Sequence, residues 1–416
     1  MPTRRAHKKS RLGCAECKRR KIKCDEVHPI CWNCTRYGVL CSFDPANHGR
    51  PGGTFEAGIS PGSIGAASTP GAVNSPRDLN SWADYLASTT PSGSNPSSFG
   101  ATTQPIQDLE LMHHYCVSTS DSMAFREDLR YVWRVVFPQQ GYRHPFVMHG
   151  LLSLAALHKA YLFPSRRREY LTLGASHHAL GLERFRTLLS DIGDSNWKAM
   201  LCYASIVVVH VCSQATRSEN GCIAEPVRST WEFFSVLQGF KTTLKEFNPR
   251  MTQSNLAPLV YSIFRLGEDD QSVQCGEIIL EQSPLPPDTS SAFSLLIEFY
   301  ETEDLLVLSN RAEYTMLVSN MERSANVIAS HGPDVEVGML LWWAYDVPKT
   351  VMDDIRQHKP HALLLLAYFA VILATADRRY WFLHGWAKQL LDDVDRRLRS
   401  KDRFAKWLVW PRDHTR

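Results

Sequence analysis

No stretch of this chain stays apolar for the roughly 20 residues that a bilayer crossing requires. The longest apolar runs, Ala362–Ala376 and Ala199–Cys212, fall short, so no membrane partner is expected. No apolar region follows the opening Met-Pro-Thr-Arg-Arg, and no secretory signal is expected there. H-E-x-x-H, G-x-S-x-G, G-x-x-x-x-G-K-[ST] and a dinucleotide fingerprint are all missing. Zincin, α/β-hydrolase, P-loop and nicotinamide chemistry therefore lack their usual machinery, and no enzyme is expected. Alternating strand-like runs are lacking too, as is a heptad repeat after Cys41 that would set a dimer's half-site spacing.

Net charge is also modest, at +3 over 416 residues, but it is unevenly spread. Residues 1–50 carry twelve Lys or Arg against four Asp or Glu, which leaves the remainder near −5. A basic head on a mildly acidic body points to a polyanionic partner for the head alone. Five of the eleven cysteines (Cys116, Cys202, Cys212, Cys222, Cys275) are scattered, an odd number that argues for a reducing, intracellular setting. Cys202 and Cys212 lie in apolar helix and read as packing.

What is present is a run of six cysteines: Cys14, Cys17, Cys24, Cys31, Cys34 and Cys41. Their spacing writes the triplet C-x2-C-x6-C twice, with six residues between the copies. A structural zinc takes four ligands in a tetrahedron. Two zinc ions sharing two thiolates fill eight coordination positions from six sulfurs, leaving a formal charge of −2 that the nearby Lys and Arg offset. A cluster saturated in this way leaves no open position for catalysis.

With these cysteines, the basic run Lys18-Arg19-Arg20-Lys21-Ile22-Lys23 and Pro29 between the triplets, the segment resembles the DNA-binding domain of fungal Zn(2)-C6 binuclear cluster transcription factors. The resemblance implies that Cys14 and Cys31 bridge the metals, with Cys17 and Cys24 completing one site and Cys34 and Cys41 the other. It implies a short helix after Cys17 set into the major groove of double-stranded DNA, with Arg20 and Lys21 at the base edges of a CGG-like triplet. Lys18, Arg19, Lys23 and Arg36 are expected on phosphates. The alternative is a zinc module used for protein contacts.

Residues 1–13 form a basic arm, read as a phosphate-contacting and nuclear-import segment; its alternative is a solvated tail. Residues 42–105, rich in Gly, Ser and Pro, read as a disordered linker. Within it Leu79, Trp82, Tyr85 and Leu86 with Asp78 and Asp84 form an acidic, aromatic island, either a short docking or activation motif or a linker helix with no role.

From residue 106 to 416 the pattern is helical. Asp108 is expected to cap a helix with Leu109, Met112, His113 and Cys116 on its face. Leu129, Val132, Trp133 and Val136 repeat that face, ending before Pro138. Phe146–Phe163 and Trp197–Val211 read as central buried helices, and Leu171–Leu189 as amphipathic. Ser229 with Glu232 reads as a capping box, and Pro284-Leu285-Pro286-Pro287 as a break. Later helices are expected near 292–308, 311–329, Val337–Tyr345, His361–Ala376 and Trp381–Arg396.

This body is similar to the fungus-specific regulatory domain of sterol-uptake-control factors. The likeness rests on Leu109–Tyr115, His144–His149, Ala175–Phe185, Ala367–Leu373, Tyr380–Trp386 and Trp407–Pro411. The family domain is helical, and in the sterol regulators it holds an apolar ligand. The pairs His113/His114, His177/His178 and His358/His361 read as hydrogen-bonded core or surface residues. Trp342, Trp343, Tyr345, Tyr368, Phe369, Trp381, Phe382 and Trp386 either line a pocket for a flat apolar effector or fill an ordinary core.

The expected fold is thus a small two-zinc cluster domain with two short helices (14–41), a linker, and a large all-α regulatory domain. The expected function is a nuclear, sequence-specific regulator of RNA polymerase II transcription governing a metabolic or biosynthetic pathway. Its partners are DNA, transcription machinery or co-regulators, an apolar small-molecule effector and a second copy of the chain. The competing reading is a zinc-containing scaffold acting through its helical body.

Overall fold

The computed structural model describes residues 13–22, 24, 26, 31, 34, 41–43, 104–245, 247–259, 283–304, 307–332, 335–377 and 379–415. The second cluster helix, most of the basic arm and linker, the aromatic island and Cys275 lie outside them. The chain divides into two compact units, Met1–Ser75 and Pro76–Arg416.

The described residues of the first unit include a short helix, α1 (Ala15–Arg19), whose N-terminus is capped by the Cys14 sulfur accepting from the Cys17 amide. Five residues cannot hold a helix unaided. Its core consists of the six cysteines, with Ile22 and Phe43 packed against them.

The second unit is helical throughout, with no strand among the described residues. It opens with α2 (Gln104–His114), which runs into a π turn at Tyr115–Thr119. Helix α3 (Glu127–Tyr131) likewise enters a π turn at Val132–Val136 and continues as α4 (Phe137–Arg143). The two irregular turns are tied together: the buried Tyr115 hydroxyl donates to the Trp133 carbonyl at 2.7 Å. A π turn displaces the regular hydrogen-bond register, and that frees a carbonyl for such a bond.

Three expectations are corrected here. The buried face of α2 is Leu111, Tyr115 and Thr119, while Leu109 is 71% exposed. Asp108 sits inside the helix rather than capping it. The helical path also continues across Pro138, which lies at the start of α4.

Helix α5 (Pro145–Leu162) is apolar nearly all round and is buried from Gly150 to Ala160. It packs against α6 (Arg167–Leu188), α4 and α7 (Trp197–Cys212). The buried face of α6 is Tyr170, Gly174, His177, His178, Gly181, Leu182 and Phe185, the spacing of an amphipathic helix. Gly181 is needed for close approach, since a Cβ there would lie 2.6 Å from the Tyr203 hydroxyl and 2.9 Å from the Phe146 carbonyl.

Helix α8 (Pro226–Lys245) begins upstream of the expected capping box, with the Ser229 amide already donating to the Glu225 carbonyl. After the proline break come α9 (Thr289–Glu301), α10 (Arg311–His331), α11 (Lys349–Arg356), α12 (Pro360–Asp377) and α13 (Trp386–Leu398). By length and composition alone α12 could cross a membrane, but 78% of it is buried inside this unit. It packs on α10, α11 and α13 as a core helix. Helix α13 starts at Trp386 rather than at Trp381, after a turn in which Gly385 takes a φ of 77°.

The eight C-terminal aromatics behave as core. Trp343, Phe369 and Trp386 are fully buried, and Phe234 meets Trp343 and Phe369 edge-on. The cleft against α4–α6 and the cleft between Val307 and Phe404 are lined by none of the eight.

Candidate metal centre

All six N-terminal cysteines are buried. Their sulfurs form two groups of four, Cys14/Cys17/Cys24/Cys31 and Cys14/Cys31/Cys34/Cys41, each with its ligand atoms within 4.8 Å of one another. Cys14 and Cys31 belong to both groups, and their sulfurs are 3.5 Å apart. Cys14 to Cys34 measures 3.4 Å and Cys17 to Cys31 3.5 Å. A tetrahedral zinc with Zn–S near 2.3 Å sets its sulfurs about 3.8 Å apart, so four sulfurs at this spacing surround a volume of zinc size.

Backbone amides organise the sulfurs in a repeating pattern. Cys17 N–H donates to Cys14 Sγ at 3.3 Å and Cys34 N–H to Cys31 Sγ at 3.4 Å. Cys14 N–H donates to Cys24 Sγ and Cys31 N–H to Cys41 Sγ, each at 3.4 Å. The two triplets thus make the same bonds, related by a shift along the chain. Ala15 N–H reaches across to Ser42 Oγ at 2.8 Å and joins the two ends of the cluster.

The electrostatics call for cations. Burial pushes the Cys17 thiol up to about 11, and it drives the Cys31 and Cys34 thiols well above the ordinary thiol value. Burial also opposes ionisation at Cys14 and Cys24, but amide hydrogens from Cys17, and from Cys14 and Glu26, together with the neighbouring thiols outweigh it and lower both. Six thiolates cannot share so small a volume unless positive charge sits between them. The donor set therefore fits two zinc ions, and with so little apolar core the metals are part of the fold.

The basic residues of α1 face outward. Cys17 turns into the sulfur cluster, whereas Lys18, Arg19 and Lys21 are exposed and Arg20 is half-buried. Arg19 pairs with Glu16 at 2.6 Å. The chain reverses at Lys21, which has a φ of 56° and whose amide donates to the Lys18 carbonyl at 3.2 Å. Lys23 and Arg36 lie outside the described residues. The supporting roles of Ser42, Ile22 and Phe43 were not anticipated from the sequence; the position of Ser42 and Phe43 directly after Cys41 was the available signal.

In the second unit His177, His178 and His361 are buried, His114 is half-buried, and His113 and His358 are exposed. His178 is buried and stacks on His210 with 3.5 Å between ring centres. His177 Nε2 lies 3.2 Å from Asp108 Oδ1, and its Nδ1 lies 3.0 Å from Nδ1 of His149. His361 Nε2 lies 3.0 Å from the buried Glu303. Cys202 and Cys212 are fully buried, which raises both thiols and removes them as nucleophiles.

Comparison with known proteins agrees with this geometry. Residues 12–49 match the fungal Zn(2)-Cys(6) binuclear cluster domain, and residues 110–264 match the fungal specific transcription factor domain. A Zn(2)-C6 fungal-type transcription factor of Gibberella zeae is 27% identical over 99% of this chain and 86% of its own length. The Zn(2)-C6 fungal-type transcription factor afumD of Aspergillus fumigatus is 31% identical over 39% of this chain and 35% of its own. Sterol uptake control protein 2 of Saccharomyces cerevisiae is 32% identical over 28% of this chain and 12% of its own. The family consists of transcription factors rather than enzymes, and its cluster domain binds two zinc ions. The chain thus carries a fungal Zn(2)-Cys(6) binuclear cluster domain, with sulfurs placed for two metals, followed by a fungal specific transcription factor domain, and its relatives are named Zn(2)-C6 fungal-type transcription factors.

Proposed function

We propose that this protein reads CGG-like triplets in the major groove and controls a metabolic or biosynthetic pathway from the nucleus. Residues 14–41 are the reader, 1–13 a phosphate-binding arm, 42–105 a connecting linker and 106–416 the regulatory body. Two zinc ions hold the reader, Cys14 and Cys31 bridging, Cys17 and Cys24 completing one site, Cys34 and Cys41 the other.

The carrying observation is the division of α1 and the turn after it between metal and solvent: Cys17 turns inward while Lys18 on the helix and Lys21 in the turn are exposed. A lysine there can donate to guanine N7 and O6. Lys21 and Arg20 are the base readers in this assignment, Lys21 the more available because Arg20 is half-buried. Lys18, Arg19, Lys23 and Arg36 serve phosphates, with Arg19 partly neutralised by Glu16. The regulatory body engages co-regulators, a second copy of the chain or a small effector. The kinship with a sterol uptake control protein favours a metabolic remit.

The test is titration of the full chain against CGG-containing and scrambled duplexes, with and without a zinc chelator. Selective binding that the chelator abolishes is the expected result. Equal, weak binding to both duplexes overturns the reading and leaves the scaffold alternative.

A further inference from the structure

Two sequence motifs that DNA reading leaves unexplained, His144–His149 and Ala175–Phe185, come together on the body. They wall an open cleft of roughly 630 Å³ between the end of α4, the first turns of α5 and the outer part of α6. Pro145, Phe146, Leu180 and Leu188 supply its apolar wall. Arg143 and Arg184 also line it, and among the described residues neither is paired with a carboxylate. Asp191 is the one acidic residue in the lining.

Behind the cleft runs a chain of three side chains from three helices. Asp108 on α2 lies 3.2 Å from His177 Nε2 on α6, and His177 Nδ1 lies 3.0 Å from His149 Nδ1 on α5. A carboxylate only accepts hydrogen bonds, so it sets the polarity of the row. The tautomers that suit this row put the His177 hydrogen on Nε2, toward the carboxylate, and the His149 hydrogen on Nδ1, toward His177. That leaves the His149 Nε2 lone pair for the cleft, which His149 lines. Burial holds the His149 imidazole below its ordinary pKa and the Asp108 charge pulls the other way; an anion in the cleft adds to that pull and lets the ring take up a proton and donate.

We propose that this cleft binds a small carboxylic acid with an apolar body. Arg143 and Arg184 attract the carboxylate, the apolar wall takes the remainder, and His149 gains a proton from solvent at Nε2 and donates it to the bound oxygen. Asp108 balances the new charge through His177. The charged and titratable groups around His149 are Asp108, His177, Arg143, His144, Arg184 and Asp191. The inference concerns the body alone and does not depend on the DNA-reading assignment.

The experiment uses the full chain without DNA, and octanoate, benzoate and octan-1-ol as probes. Either acid should raise the melting midpoint while octan-1-ol leaves it unchanged. Calorimetry in buffers of different ionisation heat should show uptake of about one proton with the acid. Arg184→Gln, at an exposed position, should weaken acid binding at least tenfold with the unliganded midpoint unchanged. Asp108→Asn should abolish proton uptake while acid binding persists more weakly. No shift with either acid, or an equal shift with octan-1-ol, overturns the proposal. So does an Arg184→Gln protein that binds as well as the parent.

Discussion

Cys14 and Cys31 stand seventeen residues apart in the chain with their sulfurs 3.5 Å apart, each accepting the amide hydrogen of the cysteine three residues further on. They are the two sulfurs common to both four-sulfur groups. Loss of a shared ligand disrupts both metals, whereas loss of an outer one disrupts its own site first. Cys31→Ser should therefore reduce the zinc content of the purified chain from two per molecule to none. Cys41→Ser should retain at least one. Elemental analysis with native mass spectrometry distinguishes these outcomes.

Zinc uptake should strengthen as pH rises. The Cys17 thiol is held at about 11, above the ordinary value of 9.0, so it keeps its proton at neutral pH until metal displaces it. Binding then releases protons, and acid opposes it. The metal-free cluster has the opposite dependence. Its raised Cys17 thiol favours the folded state below 9.0, and that contribution disappears as pH climbs through about 11. Competition with a chromophoric chelator across pH 6 to 8, taken as roughly the zinc-stable range, should show affinity rising steadily.

Lys21→Ala should reduce discrimination between CGG-containing and altered duplexes by about 1–3 kcal/mol. Lys18→Ala should weaken both equally and lower the salt slope by about one unit. Fluorescence anisotropy at several salt concentrations measures both quantities. Identical behaviour of the two variants would show that their roles are not divided in this way.

Glu336 gives a prediction for the body. It is 1% exposed, accepts the amides of Phe125 at 2.8 Å and Arg126 at 2.6 Å, and lies 3.2 Å from the Tyr380 hydroxyl. Burial raises its pKa against the pull of those donors, so its protonated form is relatively favoured in the fold. Its pH-dependent contribution is fully present below the ordinary carboxylate range and declines as pH rises through the raised value. Glu336→Gln keeps an acceptor and should remove that dependence at little cost. Glu336→Ala should cost about 1–3 kcal/mol for each amide left without a partner. Denaturant titrations at pH 4 and 7, chosen to lie roughly on either side of the carboxylate range, compare the variants.

Gly181→Ala tests the junction of α5, α6 and α7. The added methyl would sit 2.6 Å from the Tyr203 hydroxyl and 2.9 Å from a backbone carbonyl, so the helices must separate. A loss of about 1–3 kcal/mol is expected, visible as a lower melting midpoint.

Legibility in the sequence followed the range of the interactions. The cysteine cluster was readable because its spacing is local and the coordination number of zinc restricts the options. The buried helices α5, α7 and α12 announced themselves through apolar character on all sides. The face of α2 was misjudged because the π turn at Tyr115–Thr119 alters the register, and nothing in residues 108–116 marks that turn. Glu336 binds amides more than two hundred residues earlier in the chain, and such a contact leaves no local pattern. The row Asp108–His177–His149 joins three helices in the same way. The aromatic concentration near the C-terminus was legible as either core or pocket; packing decided for core because the rings fill one another's space.

The hydrogen bond from Ala15 to Ser42 has an architectural consequence. Where the polypeptide arrives at the sulfur cluster and where it departs are neighbours, so the interior of the cluster is indifferent to what is attached outside. Such a cassette can be transplanted in front of another body, or its tether lengthened, without disturbing a single sulfur.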